Sequence, residues 1–450
     1  LRERLPTDAR SGWHRRVLKL AFPIVIANLT QPILGAVDTA VAGHLHSAAD
    51  LGGVALGGLF FNFVFWGFGF LRMGTTGLVA QSFGAGDQGA LRSTVARALL
   101  LAFAIGVAVL IVQSPLIRYA IAAIGGSEDV QRTARAYCVA RIGSAPFALA
   151  NYVVLGYLLG VQKVRIALAA QVFINAANVV AVLVYVYVFG WGIAGIGAAT
   201  ATADSLGFVF GAVVLWSARP RGLAPLRFAT IVDPHALKQL VVINRDIFLR
   251  TMCLLGSFGW FAHLGATQGD AILAANALLL NFQTFMAYGL DGFAHAAEAL
   301  VGAAIGARNR HAFRQAVRVT LFWSAIGAAA FSIVYWFGGT WIIDRLTDDE
   351  TVRSAAHTFL PWAALSPVIS VWGFLLDGVF IGATRTRELM RAMAVSLCVF
   401  LVASALLVTP FANHGLWIAL LIFMASRGLA LSPLLPRIAA AIRPAAPGVP

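Results

Sequence analysis

The chain has 450 residues, 60% of them hydrophobic and 12% charged, with a mean hydropathy of +0.82. That balance excludes an ordinary soluble globular domain and leaves a polytopic membrane protein. The net charge is +14, but the basic residues gather in short connections between apolar runs, which excludes a nucleic-acid surface and points to membrane topology.

Residues 1–16 are polar and basic, with no short apolar core followed by a small-residue cleavage site. They are not expected to be a secretory signal peptide, and the first helix is expected to stay in the protein. Apolar segments long enough to span are predicted at about 17–43, 52–80, 93–118, 136–160, 165–190, 192–217, 239–265, 272–303, 316–344, 355–382, 388–411 and 414–437. That makes twelve spans.

The first span carries Pro23, Pro32 and one carboxylate, Asp38. Asn28, Gln31 and Asp38 fall at i, i+3 and i+10, so one face of the helix is polar. A charged Asp inside a span costs about 2.5–3.5 kcal/mol on insertion scales. A chain that keeps it is expected to use it; the plainer reading is a hydrogen bond to a neighbouring helix. Burial raises a carboxylate's pKa, so an Asp here can take a proton near neutral pH. The two prolines give the helix places to bend.

The second span is rich in aromatics (Phe60, Phe61, Phe63, Phe65, Trp66, Phe68, Phe70), most of them lipid or core contacts, some suited to stacking on a cationic compound. Arg72 in this span, Arg141 in the fourth and Arg250 in the seventh are cations within apolar surroundings. Arg72 and Arg250 are expected to form ion pairs, with Asp246, Asp291 or Glu298 as partners. The fifth and sixth spans are joined only by Gly190, Trp191 and Gly192, a very tight hairpin. On the eighth, Asp291, His295 and Glu298 fall at i, i+4 and i+7, and the tenth adds Asp377. These are either a cation or substrate site or a buried polar network that locks the bundle. A single-helix stripe does not make a metal site, and Cys138, Cys253 and Cys398 lack ligand spacing, so no metal, cofactor or disulfide is expected.

Charge alternates along the connections. Arg15, Arg16 and Lys19, then Arg92, Lys163 and Arg165, Arg219 to Lys238, Arg308 to Arg314, Arg385 to Arg391, and Arg437 and Arg443 share one side. His44, His46 and Asp50, Glu128 and Asp129, Asp270, and Asp344 to Glu350 share the other. The positive-inside rule therefore places both termini in the cytoplasm.

The longest polar connection, 217–240, contains Pro220, Pro225 and Pro234 and divides the chain into halves of six spans. One offset, 222, relates them: Gly84-Ala85 to Gly306-Ala307, Gly67 to Gly289, Arg92 to Arg314, Glu128 to Glu350, Tyr137 to Phe359, and Gly160, Lys163 and Arg165 to Gly382, Arg385 and Arg387. Six is even, so the halves share an orientation and are related by an axis along the membrane normal. The predicted fold class is all-α: a cytoplasmic segment 1–16, an N-lobe 17–217, a linker 218–238, a C-lobe 239–437 and a cytoplasmic tail 438–450. Two such bundles are expected to enclose a cleft used for alternating access.

The first helix with Pro23 and Val37-Asp38-Thr39 resembles the multidrug and toxic compound extrusion (MATE) family, as do LVAQSFGAGD at 78–87 and LLGVQKVR at 158–165. NRDIFLR at 244–250 and YGLDGFAHAAEALVGAAIGA at 288–307 resemble its DinF-like branch. The resemblance covers nearly the whole chain. It implies a twelve-helix, two-lobed antiporter of the inner membrane that expels amphipathic, commonly cationic compounds in exchange for H⁺ or Na⁺. On the same ground Pro23 is the bend of the first helix, Asp38 the proton-binding carboxylate, and Asn151, Asn178 and Thr200 line an N-lobe pocket. One departure is informative: the Asp expected four residues after Asn178 is Val182 here. Asp204, one turn beyond Thr200, is a candidate replacement. A lone buried Asp suits a proton better than a hard cation, which prefers several oxygen ligands. Asp291, Glu298 and Asp377 form the candidate C-lobe site.

The expected function is thus proton-coupled multidrug export by a bilayer-embedded protein working as a monomer. The alternatives are a Na⁺-coupled exporter, or an exporter of lipid intermediates or organic acids in the same superfamily. A major-facilitator transporter would carry an arginine pair in the loop after the second helix, and GAGDQGALR has none. A membrane-bound enzyme would cluster His, Asp or Ser chemistry at one interface, and no connection does so.

Overall fold

A computed structural model describes residues 10–43, 48–219 and 226–442; side chains of residues 10, 11, 30–36 and 48 are not described. His44, His46, Pro220, Arg221, Pro225 and Arg443, and the side chains of Gln31 and Pro32, therefore lie outside it. Among the described residues there is no strand. The helices are α1 (Arg10–Gly43), α2 (Ala48–Gly67), α3 (Phe70–Ala85), α4 (Gln88–Ile111), α5 (Gln113–Ile124), α6 (Glu128–Ile142), α7 (Ala145–Gly160) and α8 (Val164–Leu183). They continue with α9 (Gly192–Ser217), α10 (Phe228–Ile231), α11 (Pro234–Ala266), α12 (Asp270–Gly306), α13 (Arg310–Leu346), α14 (Glu350–Gly382), α15 (Thr386–Leu431) and α16 (Leu435–Ala441).

Among the described residues nine helical stretches are long and apolar enough to cross a membrane, and the bent pair α6–α7 makes ten. The predicted first span falls in the 34-residue α1, and the predicted eleventh and most of the twelfth fall in α15. α15 runs on for 46 residues but its backbone breaks at Ala412 (φ 47°, ψ −128°), between the predicted eleventh and twelfth spans. The tight hairpin after α8 forms as expected, with Gly190 and Gly192 at positive φ.

Three spans predicted as continuous are broken: α2 from α3 at Phe68-Gly69, α4 from α5 at Val112, and α6 from α7 by a 58° bend. Proline stands just past two of the breaks, Pro115 in the first turn of α5 and Pro146 in that of α7. A first-turn proline has no N–H to leave unpaired, so it starts a new helix more readily than it continues an old one. Pro361 and Pro367 sit inside α14 without ending it.

The offset of 222 recurs in the geometry. The Asp87 carboxylate accepts from the Ala90 amide (2.8 Å) to cap α4, and Asn309 Oδ1 accepts from Ala312 (2.9 Å) to cap α13. Ser127 caps α6 and Asp349 caps α14, again 222 apart. Gly86 and Arg308 both take positive φ, as do Gln162 and Thr384. Packing repeats as well: a Cβ on Gly156 would press on the Arg72 carbonyl, and one on Gly378 on that of Ala294. Asp349 lies in a connection, where the Thr351 hydroxyl and the Val352 and Thr351 amides hold its carboxyl below the usual range. With the folded pKa depressed, its cap is at full strength above the ordinary carboxylate range and is lost as pH falls through the lowered value.

The chain forms two compact units. One runs up to Val25, takes in Ala80–Gly86 and resumes at Arg245; the other holds Ile26–Val79 and Asp87–Asn244. α1 thus begins in the first unit and passes into the second just beyond Pro23. In the first unit, the last turn of α3 meets the last turn of α12 reciprocally. A Cβ on Gly84 would overlap the Ala303 carbonyl, and one on Gly306 that of Gln81, while Gly302 rests on Ala80. Under the 222 offset the Gly84–Ala303 contact maps onto Gly306–Gln81 and Gly302 meets its own counterpart, the reciprocity that a two-fold axis imposes. Gln81 Nε2 closes the contact by donating to the Gly382 carbonyl (3.0 Å).

Backbone atoms cannot step aside here. Gly306→Ala is expected to lower stability by about 1–3 kcal/mol, the usual cost of overpacking. Gly43→Ala, where a Cβ meets nothing within 4 Å, is the control. Equal thermal midpoints for the two variants in detergent would contradict this.

Candidate functional site

In the second unit the expected pocket residues come from four helices. Asp38 on α1 is 9% exposed, Asn178 on α8 is fully buried, and Thr200 on α9 is buried. Asn178 Nδ2 donates to Thr200 Oγ1 (2.9 Å), tying α8 to α9. Asp204, one turn further along α9, accepts from Ser144 Oγ (3.1 Å), and its backbone carbonyl accepts from Asn151 Nδ2 (2.8 Å) on α7. Val182, where the sequence pattern loses a carboxylate, is fully buried in the apolar core. The structure thus joins Asn178 to Thr200 and Asn151 to Asp204. Asp38 makes neither link: its Oδ1 is buried with no hydrogen-bond partner among the described residues.

Arg141, noted in the sequence only as a cation in an apolar span, joins this site. It ends α6 beside the break into α7. Its guanidinium donates to the Tyr137 hydroxyl (2.7 Å) and lies over the Phe61 ring, 4.3 Å from the centroid. It is close enough to both Asp38 and Asp204 to interact with each electrostatically. Arg141 thus links two carboxylates electrostatically, and a second buried guanidinium, Arg72, acts on Tyr152 together with Asp204 and Arg141. Of the second-span aromatics, Phe60 and Phe61 are buried and Phe63 and Trp66 are exposed. A signal for Arg141 was present in the sequence: it precedes the Gly143–Pro146 run by two residues, where a spanning helix is apt to break.

In the first unit Asp377 (α14) is bound by two guanidiniums, Arg250 from α11 and, at 2.5 Å, Arg427 from α15. All three side chains are buried. Of the partners expected for Arg72 and Arg250, Asp246 is paired with Arg245 (2.7 Å) and accepts from the Thr386 hydroxyl (3.4 Å). Asp291 acts on Arg427 electrostatically, Glu298 is buried on the same helix, and His295 lies between them in sequence. Arg72 is buried on α3. Among the described residues no three His, Cys, Asp or Glu side chains group closely enough to hold a metal ion.

A multi-pass, all-helical chain with ionisable groups held among its spans has the build of a membrane transporter. The MatE family model matches residues 23–188 and 248–407. The chain is 40% identical over 430 residues to DNA damage-inducible protein F of Escherichia coli K12, covering 95% of this chain and 92% of that one. It is 27% identical to a probable multidrug resistance protein, NorM, of Geobacillus kaustophilus, covering 95% of each chain. In fold it is similar to a MOP superfamily transporter from Pyrococcus furiosus, with a TM-score of 0.84, 18% identity and 96% of both chains covered. The chain belongs to the MatE family of membrane transporters.

Proposed function

We propose that the protein is a secondary active multidrug exporter of the inner membrane, with both termini cytoplasmic. It exchanges amphipathic, often cationic compounds for H⁺ by alternating access, works as a monomer, and uses Asp38 as the proton-binding carboxylate. The lobes are 17–217 and 239–437. The observation that carries this reading is the Asp38 carboxylate oxygen, buried and without a hydrogen-bond donor among the described residues, with the Arg141 guanidinium within electrostatic reach. Ionised, Asp38 is a buried negative charge with one oxygen that no described donor reaches. In a low-dielectric interior the charge must be neutralised. A proton does so, and so does the cationic group of a substrate, but not both at once. Mutual exclusion at one carboxylate is what exchange requires.

Pro23 supplies the moving part. It lies where α1 passes from one compact unit into the other, and a missing N–H makes bending there cheap. Asn151, Asn178, Thr200 and Asp204 shape the pocket around Asp38. The relatives named as multidrug resistance proteins support the substrate class.

Sodium coupling is the rival reading. Against it stand Val182, which removes a hard-cation ligand, and the two guanidiniums that already occupy Asp377 in the candidate C-lobe site of Asp291, Glu298 and Asp377. The deciding experiment uses proteoliposomes loaded with a fluorescent cationic dye. A pH gradient without sodium is expected to drive its transport, and a sodium gradient at equal pH is not. Transport driven by sodium alone would overturn proton coupling.

A further inference from the structure

We propose that the basic end of α13 and the start of α1 form a binding site for the headgroup of an anionic phospholipid. A cavity of about 210 Å³ lies between the two helices, lined by His14, Gln315, Arg318, Val319 and Phe322. Each of its polar lining residues offers a donor. Trp323 Nε1 donates to His14 Nδ1 (3.1 Å). Indole nitrogen is only a donor, so Nδ1 is an acceptor and the ring's own proton is on Nε2, free to donate. The Gln315 amide and the exposed Arg318 guanidinium add further N–H groups. His14, Phe322 and Trp323 pack edge to face, which holds the imidazole in place.

Along these parts of α1 and α13 the charge has one sign. Arg15 and Arg314 are exposed nearby, and neither helix carries an acid before Asp38 or Asp344. A phosphate is the group that several fixed donors and a guanidinium recognise together.

What selects a lipid over a free phosphate is the surface below the cavity. Phe322 and Ile326 are 50% and 44% exposed. They follow Arg318 by one and two turns, about 6 and 12 Å toward the bilayer centre, on the same side of the helix. An acyl chain hanging from a headgroup at Arg318 runs over them. In the orientation proposed above this is the inner leaflet, where basic pockets between spanning helices meet anionic lipids.

The test is native mass spectrometry of the full-length chain in detergent with added phosphatidylglycerol or phosphatidylcholine of identical acyl chains. The wild type is expected to retain phosphatidylglycerol in preference. Arg318→Gln should weaken that retention about fivefold, the effect of one cation at a membrane surface, and His14→Ala should also weaken it. Arg318 is exposed, so its variant keeps the fold, which an unchanged thermal midpoint verifies. Arg135→Gln, an exposed arginine on α6, should retain the lipid fully. Equal retention of both lipids, or of phosphatidylglycerol by Arg318→Gln and wild type, would overturn the site. So would complete displacement of the lipid by millimolar inorganic phosphate, which would show a site for free phosphate instead.

Discussion

Replacing Asp38 with Asn is expected to abolish pH-driven export while the protein still inserts and folds. Asn cannot release a proton, so the pocket loses the one group whose charge distinguishes its loaded and empty forms. The fold has little to lose. Asp38 Oδ1 has no hydrogen-bond partner among the described residues, and a carboxylate within a span costs about 2.5–3.5 kcal/mol to insert. The neutral amide removes that cost, so thermal stability in detergent should hold or rise. Dye export by Asp38→Asn proteoliposomes under a pH gradient should fall to the leak of empty liposomes. Wild-type rates in this variant would end the assignment.

Asp377→Asn is expected to do the opposite, lowering stability by about 3–5 kcal/mol. Asp377 is the carboxylate shared by Arg250 and Arg427, and all three are buried. Removing the anion leaves two like charges facing each other where water cannot screen them. The three side chains come from α11, α14 and α15, so the loss loosens three spans at once. Combining Asp377→Asn with Arg427→Met, which removes one of the stranded charges, should recover part of the stability. Unfolding followed by tryptophan fluorescence in detergent measures both. An Asp377→Asn midpoint equal to wild type would show that the cluster does not hold the unit together. A well-folded Asp377→Asn variant that has lost a sodium-driven activity present in the wild type would make Asp377 a coupling residue instead.

Much of the fold was legible because bilayer thickness writes it into composition: apolar runs of fixed length, basic connections on one side, and Gly84 and Gly306 at one offset. The breaks were harder to see. A hydropathy profile does not change where α2 gives way to α3, since both sides of Phe68-Gly69 are equally apolar. Of the site, Asp38 was legible because a lone carboxylate in a span has no background to hide in. Arg141 was read as one of several buried cations, because its partners, Phe61, Asp38 and Asp204, lie on three other helices and no single-helix pattern joins them. Arg427 escaped for a related reason. The criterion that picks out Arg72, Arg141 and Arg250 applies equally to it, but its acid stands 50 residues earlier on α14.

The reciprocal contact between the ends of α3 and α12 constrains how the protein can be made. Gly84 is threaded into the membrane when Ala303 has not yet been translated. At about 5–20 residues per second a ribosome needs roughly 10–45 s to supply the missing 219 residues. For that interval the last turn of α3 has only lipid, or a translocation chaperone, against a surface of small side chains and open carbonyls. The start of α1 waits as well, since Ala21 and Val25 pack on Gly292. The N-terminal half therefore cannot finish folding on its own. Its final step comes late in synthesis and closes a loop of more than two hundred residues.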